Sequence, residues 1–316
     1  MHYSVPVAAL TATLCCTALA NAQGSGQPAA AEAADSQPEK LPPPSAEFSL
    51  SGQHNFASDF TDAEGEVAVS RAAADVGMTF ATSQRGRLTL GLGAERSMYS
   101  FDNATGFVSG SEEPWDDIMT AQASLRFSRQ HDGAWSYFAG VDITSSAQDG
   151  AEFSDSLTYG GAVGVMYGES RSLRYGVALG VHTRLEDDAS VFPIPIVSWQ
   201  FDERWTLASG PRRGGGQVSL SYQALDDLEL SLNVGFESRD FRLADDAPVT
   251  NGVGRDSRLP VSVAAKWKVH PQVTVSAEVG ANFNQEFTLD DESGNRVNKL
   301  DADMGFFAGV GVSISF

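Results

Sequence analysis

The chain has 316 residues, with 41 Asp and Glu against 21 Lys and Arg, a formal net charge of -20. So acidic a balance excludes a nucleic-acid partner held by phosphate contacts. Hydrophobic residues make up 42%, yet no uncharged apolar run of eighteen occurs beyond the extreme N-terminus, which excludes a bundle of membrane-crossing helices.

Residues 1–22 are apolar from Val5 to Ala20 and end in Ala20-Asn21-Ala22, an A-x-A cleavage pattern. They predict a secretory signal peptide cut before Gln23, although only His2 lends charge to its start; the alternative is a buried core helix. Both cysteines, Cys15 and Cys16, fall inside this segment, and neither has the Leu three residues ahead that a lipoprotein anchor needs. The mature chain then has no disulfide and no Cys-based metal site. Residues 23–47 are rich in Ala, Pro and polar residues without a period, and predict a disordered periplasmic linker stiffened at Pro42–Pro44.

From Phe48 onward the dominant period is two. Leu228, Leu230, Leu232, Val234 and Phe236 alternate with Glu229, Ser231, Asn233, Gly235 and Glu237. Val261, Val263, Ala265, Trp267 and Val269 alternate with more polar neighbours in the same way. Strands with one apolar face give this pattern and helices do not. Fourteen strands are predicted, at 48–57, 66–83, 87–101, 117–130, 134–146, 156–168, 172–185, 192–201, 204–209, 216–224, 228–241, 258–269, 272–288 and 303–316. The second changes face near Ala72–Ala74, which predicts a bulge. The eighth carries Pro193 and Pro195 and the ninth is short; if this pair stands outside the wall, the count falls to twelve.

Connections alternate between short turns, such as Gln84-Arg85-Gly86 and His270-Pro271, and long acidic segments, such as 102–116, 242–257 and 289–302. This is the layout of an all-β, transmembrane, antiparallel up-and-down β-barrel over 48–316, with both ends of the wall on the short-turn side. Only helices and closed barrels satisfy every backbone group in lipid.

The last segment, Met304 to Phe316, has apolar residues at every second position and ends on Phe. It resembles the C-terminal strand of bacterial outer-membrane proteins, whose terminal aromatic is read by the barrel assembly machinery; Phe316 would be that signal. The stretch from Pro193 through Trp199 and Trp205 to Pro211, with Val218–Tyr222 after it, is similar to a family of uncharacterised outer-membrane barrels known only as a domain of unknown function. The resemblance implies the fold and the cell outer membrane as location. It supplies no activity.

Parity predicts a lumen lined by Arg126, Asp142, Arg174, His182, Arg184, Glu229, Glu237, Arg239, Lys266, Lys268, Glu278 and Glu286. These charges either solvate a polar lumen or set its selectivity. Gly160, Ala162 and Gly164, beside Gly176, Ala178 and Gly180, leave room for a solute path, or accommodate tight curvature or a plug. Trp135, Tyr137, Tyr167, Tyr175, Trp199, Trp205 and Trp267 cluster at the short-turn level, as a membrane girdle does.

No catalytic residue, metal or cofactor is expected. No G-x-S-x-G motif accompanies His182, and the acidic 290–303 segment does not follow the EF-hand pattern. Arg212 and Arg213 form the single basic loop, suited to lipopolysaccharide phosphate. The reading is a narrow pore or transporter for a small solute or ions, in contact with outer-membrane lipid and lipopolysaccharide. Alternatives are a non-conducting structural or adhesive barrel meeting an external partner through acidic loops and, third, an outer-membrane hydrolase. Oligomeric state is not written in the sequence. Mass spectrometry of the membrane fraction is expected to find a mature chain starting at Gln23, and an intact Met1 would contradict the cleavage.

Overall fold

The computed structural model describes residues 41–316 apart from 109–112, 132, 169 and 171. The expected signal peptide and most of the linker lie outside the described residues. Fifteen strands follow in chain order: β1 (Ser45–Asp59), β2 (Glu66–Ser83), β3 (Gly86–Asp102), β4 (Asp117–Gln130), β5 (Trp135–Gln148), β6 (Leu157–Gly168), β7 (Leu173–Arg184), β8 (Asp187–Gln200), β9 (Trp205–Arg212), β10 (Gly215–Leu225), β11 (Leu228–Arg242), β12 (Val253–His270), β13 (Val273–Asp290), β14 (Arg296–Ala302) and β15 (Gly305–Ser315).

Neighbours in sequence pair antiparallel from β1 to β13, and β15 pairs with both β13 and β1. This closes a fourteen-strand barrel, with β14 laddered to the outer end of β13 and bridged at Ala302 to Phe60, just after β1. Closure explains why β1 begins at Ser45, inside the expected linker. Ala46 and Phe316 exchange backbone hydrogen bonds of 3.2 and 2.8 Å, which ties the two ends of the wall together. Among the described residues the one helical piece is a 3-10 turn at Phe153–Ser156.

The alternation in sequence is the alternation in space. On β11, Leu230, Leu232 and Val234 are exposed on the outer face while Ser231 and Asn233 are buried inside. β8 and β9 are wall strands, so the count is fourteen rather than twelve. β2, however, has no bulge at Ala72–Ala74. Its register with β1 and β3 runs unbroken through Ala72, Ala73 and Ala74. Its apolar residues change face because the interior itself changes: Val67 and Val69 point inward, whereas Val76 and Met78 lie on the opposite, outward parity.

That inward apolar region closes the outer mouth. Phe60, Val67, Val69, Tyr99, Phe101, Phe107, Trp115, Phe241, Phe287 and Leu289 form one buried cluster, with aromatic rings in edge-to-face and stacked contact. The outer parts of β11, β12 and β13, with β14, lean across the mouth, so that residues of both parities are buried there, such as Phe241 and Arg242, or Thr288 and Leu289. The lean begins where β12 and β13 slip register between Ser257 and Leu259, near Pro260 and opposite Asn284, which has a φ of 47°. A bulge of this kind bends the strand that carries it. The lid reaches the far wall, where Arg242 of β11 pairs with Ala147 of β5.

Leu232→Arg puts a charge on the outer face of β11 and is expected to cost about 2–4 kcal/mol near mid-bilayer. Ser124→Arg, on the inner face of β4, is expected to leave the barrel folded. The loss of the heat-modifiable folded band on a gel measures both, and equal loss would contradict the assignment of faces.

Candidate functional site

β9 and β10 are shorter than their neighbours, and their joining turn, Arg213–Gly214, does not rise with the rest of the wall. It tips into the lumen. Gly214 supplies the positive φ, 72°, that this tight turn requires. Arg213 reaches Asp75 of β2 at 2.5 Å and Glu95 of β3 at 3.3 Å, on the opposite side of the barrel. Arg212 binds Glu237 of β11 and Glu278 of β13, the latter at 3.1 Å.

These contacts belong to one cross-lumen layer. Glu237, 2% exposed, also accepts from Arg258 and Arg239, each at 2.6 Å. Arg239 reaches on to Glu95 at 3.1 Å, and Arg71 binds Asp256 at 2.5 Å. Five arginines (Arg71, Arg212, Arg213, Arg239, Arg258) therefore meet five carboxylates (Asp75, Glu95, Glu237, Asp256, Glu278). Asn55 accepts from Arg258 at 3.2 Å and from Asn282 at 2.9 Å, and Tyr99 donates to Asp256 at 3.2 Å. Buried ions persist only when paired and hydrogen-bonded in this way.

On the short-turn side of the layer lies a vestibule of about 310 Å³, lined by Ser49, Gly91, Gln122, Ser124, Arg126 and Pro211 and ending on Arg212 and Arg213. Within the layer is a smaller chamber of about 130 Å³ among Arg71, Glu95, Glu237 and Arg239. Beyond it the apolar cluster fills the mouth.

The opposite inner wall, β5 to β8, differs in kind. Phe138, Ala162 and Ala178 are buried together, with Ile194 and Ile196 packed against them. The inward glycines hold side chains rather than leave space. A Cβ on Gly164 would strike the Phe138 ring, one on Gly180 the Phe192 ring, and one on Gly160 the Asp142 carboxylate. The Arg126 guanidinium lies 4.7 Å from the centre of the Phe138 ring, at the seam between vestibule and apolar wall.

Of the residues expected in the lumen, Glu237, Arg239 and Glu278 enter the ion layer. Arg126 is buried on β4. Arg184 sits at the outer rim, 3.4 Å from Asp240 and 2.5 Å from Asp187. Glu229 and Lys266 pair at 3.7 Å near the short turns, where Lys268 is exposed and Arg174 half-buried. Glu286 pairs with Lys299 of β14 at 2.6 Å, on the outer hairpin. Asp142 and His182 are both in register with Gly160, one on each side. Among the described residues neither side chain makes a hydrogen bond or ion pair, so His182 is not hydrogen-bonded to Ser190, its neighbour on β8, or to a carboxylate.

Arg212 and Arg213 are not a loop facing lipopolysaccharide. Their hairpin is too short to reach the rim, and both side chains are spent on lumen carboxylates. The acidic outer hairpin is likewise engaged with itself. Asn295 donates from its side chain and backbone to Asp291, holding that carboxyl below its usual range. Trp135, Tyr137, Tyr175, Trp199, Trp205 and Trp267 are exposed and Tyr167 is half-buried, all beside the short turns. Ring pairs at 4.9 Å (Trp135–Tyr167), 5.8 Å (Tyr167–Tyr175) and 4.8 Å (Trp205–Tyr222) connect many of them.

The geometry defines a closed fourteen-strand β-barrel with an ion-paired lumen and a capped outer mouth. The chain belongs to the family described as domain of unknown function DUF6268, whose model matches residues 46–316. No protein of curated function matches it. Its fold is similar to the crystal structure of the COG4313 outer membrane channel from Pseudomonas putida F1, at 11% identity and a TM-score of 0.50, covering 90% of this chain and 100% of that one. Similarity extends to a Pseudomonas aeruginosa FadL homologue, at 12% identity and a TM-score of 0.48, covering 86% of this chain and 90% of that one. The P. putida toluene transporter TodX follows at 10% identity and 0.46, covering 86% and 89%. At these identities the likeness is one of fold.

Glu237 is the hub of the layer. Glu237→Gln leaves Arg212, Arg239 and Arg258 short of counter-charge, and the expected loss is about 3–5 kcal/mol. It is read as a lower melting temperature of the detergent-solubilised barrel. Adding Arg258→Met is expected to restore part of the loss, and two independent, additive losses would argue against one coupled layer.

Proposed function

We propose that the protein is an outer-membrane channel for a small solute, constricted by the inturned β9–β10 hairpin. The observation that carries this reading is the vestibule of about 310 Å³, which ends abruptly on Arg212 and Arg213. Side chains fill an eight-strand barrel, while fourteen strands enclose more space than their inner side chains occupy. Here the excess is closed by one short hairpin held by ion pairs, a plug that a few contacts retain. The apolar outer face, the aromatic belt at the short-turn level and the similarity in fold to a named outer membrane channel support the location. Export on a signal peptide cut near Ala22, and insertion guided by Phe316 through the barrel assembly machinery, belong to the same reading. Contact with lipopolysaccharide would then involve the outer loops rather than Arg212 and Arg213.

The capped mouth favours a second reading, a non-conducting barrel that meets an external partner. A hollow of about 690 Å³ at the outer rim is lined by Arg96, Asp116, Asp117, Asp149 and Asp246, with Arg96 bound to Asp117. Planar-bilayer recording separates the two. The wild-type protein is expected to give small, discrete conductance steps, and Asp75→Ala with Arg213→Ala is expected to enlarge them several-fold by freeing the hairpin. Silence from both proteins would select the non-conducting barrel.

A further inference from the structure

The wall is not laddered evenly. β7 pairs with β8 along nearly its whole length, from Leu173–Trp199 to Arg184–Asp187. β8 meets β9 only at Ser198–Ala208, Trp199–Leu207 and Gln200–Thr206. Beyond these the side chain of Ser209 stands in for a ladder, accepting from Val197 N–H at 3.0 Å and donating to the Pro195 carbonyl at 3.2 Å. Further out, β9 turns into the lumen toward Arg212, and β11 leaves the wall to join the lid. Among the described residues no strand pairs with Asp187–Val197 of β8 on this side.

The sequence of β8 suits an edge. Residues two apart direct their backbone groups to the same side. Val197 N–H points at the gap, so the nitrogens of Pro195 and Pro193 do too. The two prolines remove donors that would otherwise stand unpaired, which is how proline is tolerated in strands. The side chains of Val191, Pro193, Pro195, Val197 and Trp199 all lie on the outer face, with Val191 64% exposed. From Trp199 to Val191 the strand runs about 26 Å, or roughly 18 Å along the membrane normal at a tilt of about 45°. That places the unpaired edge at the level of the hydrocarbon. Backbone left unpaired at this depth is tolerated only where it is buried in protein or lines a water-filled cavity.

Behind the edge, the inner face of β8 carries Phe192, Ile194 and Ile196, continuous through Phe138 with the Arg126 end of the vestibule. The axial route beyond the ion layer is sealed by the aromatic cap. We propose that the barrel wall is open sideways between β8 and the β9–β10 hairpin, and that this window passes small, uncharged, apolar solutes between the lumen and the bilayer. The proposal rests on the reading of the barrel as a channel and names its solute class and its outer route.

The test places a fluorophore on Cys at Ile196, inside the window, in the full barrel reconstituted into vesicles of lipids brominated on their acyl chains. Val191→Cys on the outer face and Ser124→Cys in the vestibule, on a fully laddered strand, are the references. The Ile196→Cys label is expected to be quenched at least half as strongly as the Val191→Cys label, and quenching no stronger than at Ser124→Cys would overturn the window. In cells with a lipopolysaccharide outer leaflet, expression is expected to speed uptake of N-phenyl-1-naphthylamine at least three-fold. Ile194→Lys with Ile196→Lys is expected to return uptake to background while leaving ion conductance unchanged. Undiminished uptake by this variant would overturn the apolar route. Absence of conductance with the Ile196→Cys quenching intact would overturn the ionic channel reading while upholding the window.

Discussion

Backbone hydrogen bonding governs this fold. In hydrocarbon an unpaired N–H or C=O costs several kcal/mol, so a sheet that enters the bilayer must close on itself. β15 accomplishes this by pairing with β13 on one side and β1 on the other, over ten and nine register positions. The departures from full pairing then become informative. β14 hangs off β13 beyond the wall, where water or protein can satisfy it. The outer halves of β11 and β12 leave the wall but keep their mutual ladder, from Glu237–Arg258 to Arg242–Val253, and become a lid. β8 is different, because it stays in the wall while its partner leaves.

The charged layer and the aromatic cap divide the interior between them, and each makes the other workable. The Arg71 guanidinium lies 5.8 Å from the centre of the Tyr99 ring, which packs on Trp115, and the Tyr99 hydroxyl donates to Asp256 across the boundary. A layer of charge in contact with so much apolar surface is desolvated, so its stability depends on complete pairing. The β9–β10 hairpin adds to that pairing by bringing two further arginines to carboxylates on β2, β3, β11 and β13. The hairpin is thus the keystone of the layer as well as its obstruction. A surface pair such as Lys266–Glu229 contributes little by comparison.

Much of this was legible in the sequence. Alternation alone located fourteen wall strands, and the proline-bearing pair that seemed dispensable proved to be wall, with its prolines on an edge. The second strand shows where the reasoning broke down. A bulge at Ala72–Ala74 would have kept the apolar residues of β2 on one face, and so would have turned Arg71 outward with Val67 and Val69, whose face it shares. The signal was present, since a charge two positions from Val69 should not face lipid at mid-strand. The same assumption concealed Glu95, beside Tyr99 and Phe101 on β3. Arg212 and Arg213 were misplaced for another reason. Nothing local says that a hairpin will tip inward, because the partners that draw it, Asp75 and Glu278, are remote in sequence. β14 lay unnoticed within an acidic loop because Arg296–Ala302 is polar on both faces.

The interior is therefore asymmetric, and the asymmetry follows from strand composition. At the level of the ion layer the inward positions on β1, β2, β11, β12 and β13, among them Asn55, Arg71, Glu237, Arg258 and Glu278, are polar or charged, so that level is closed by ion pairs. Inward positions midway along β5 to β8 are mostly glycine, alanine and large apolar residues, with Asp142 and His182 flanking Gly160, so that side closes largely by rings lying over glycines. A hydrated ion passing the β9–β10 hairpin would have to compete for Arg213 with Asp75 and Glu95. An apolar molecule beside Phe138, Phe192, Ile194 and Ile196 meets a wall that resembles the bilayer beyond the β8 edge. The same backbone economy that forces the barrel shut elsewhere leaves an unpaired edge on β8 beside the wall that an apolar solute would wet.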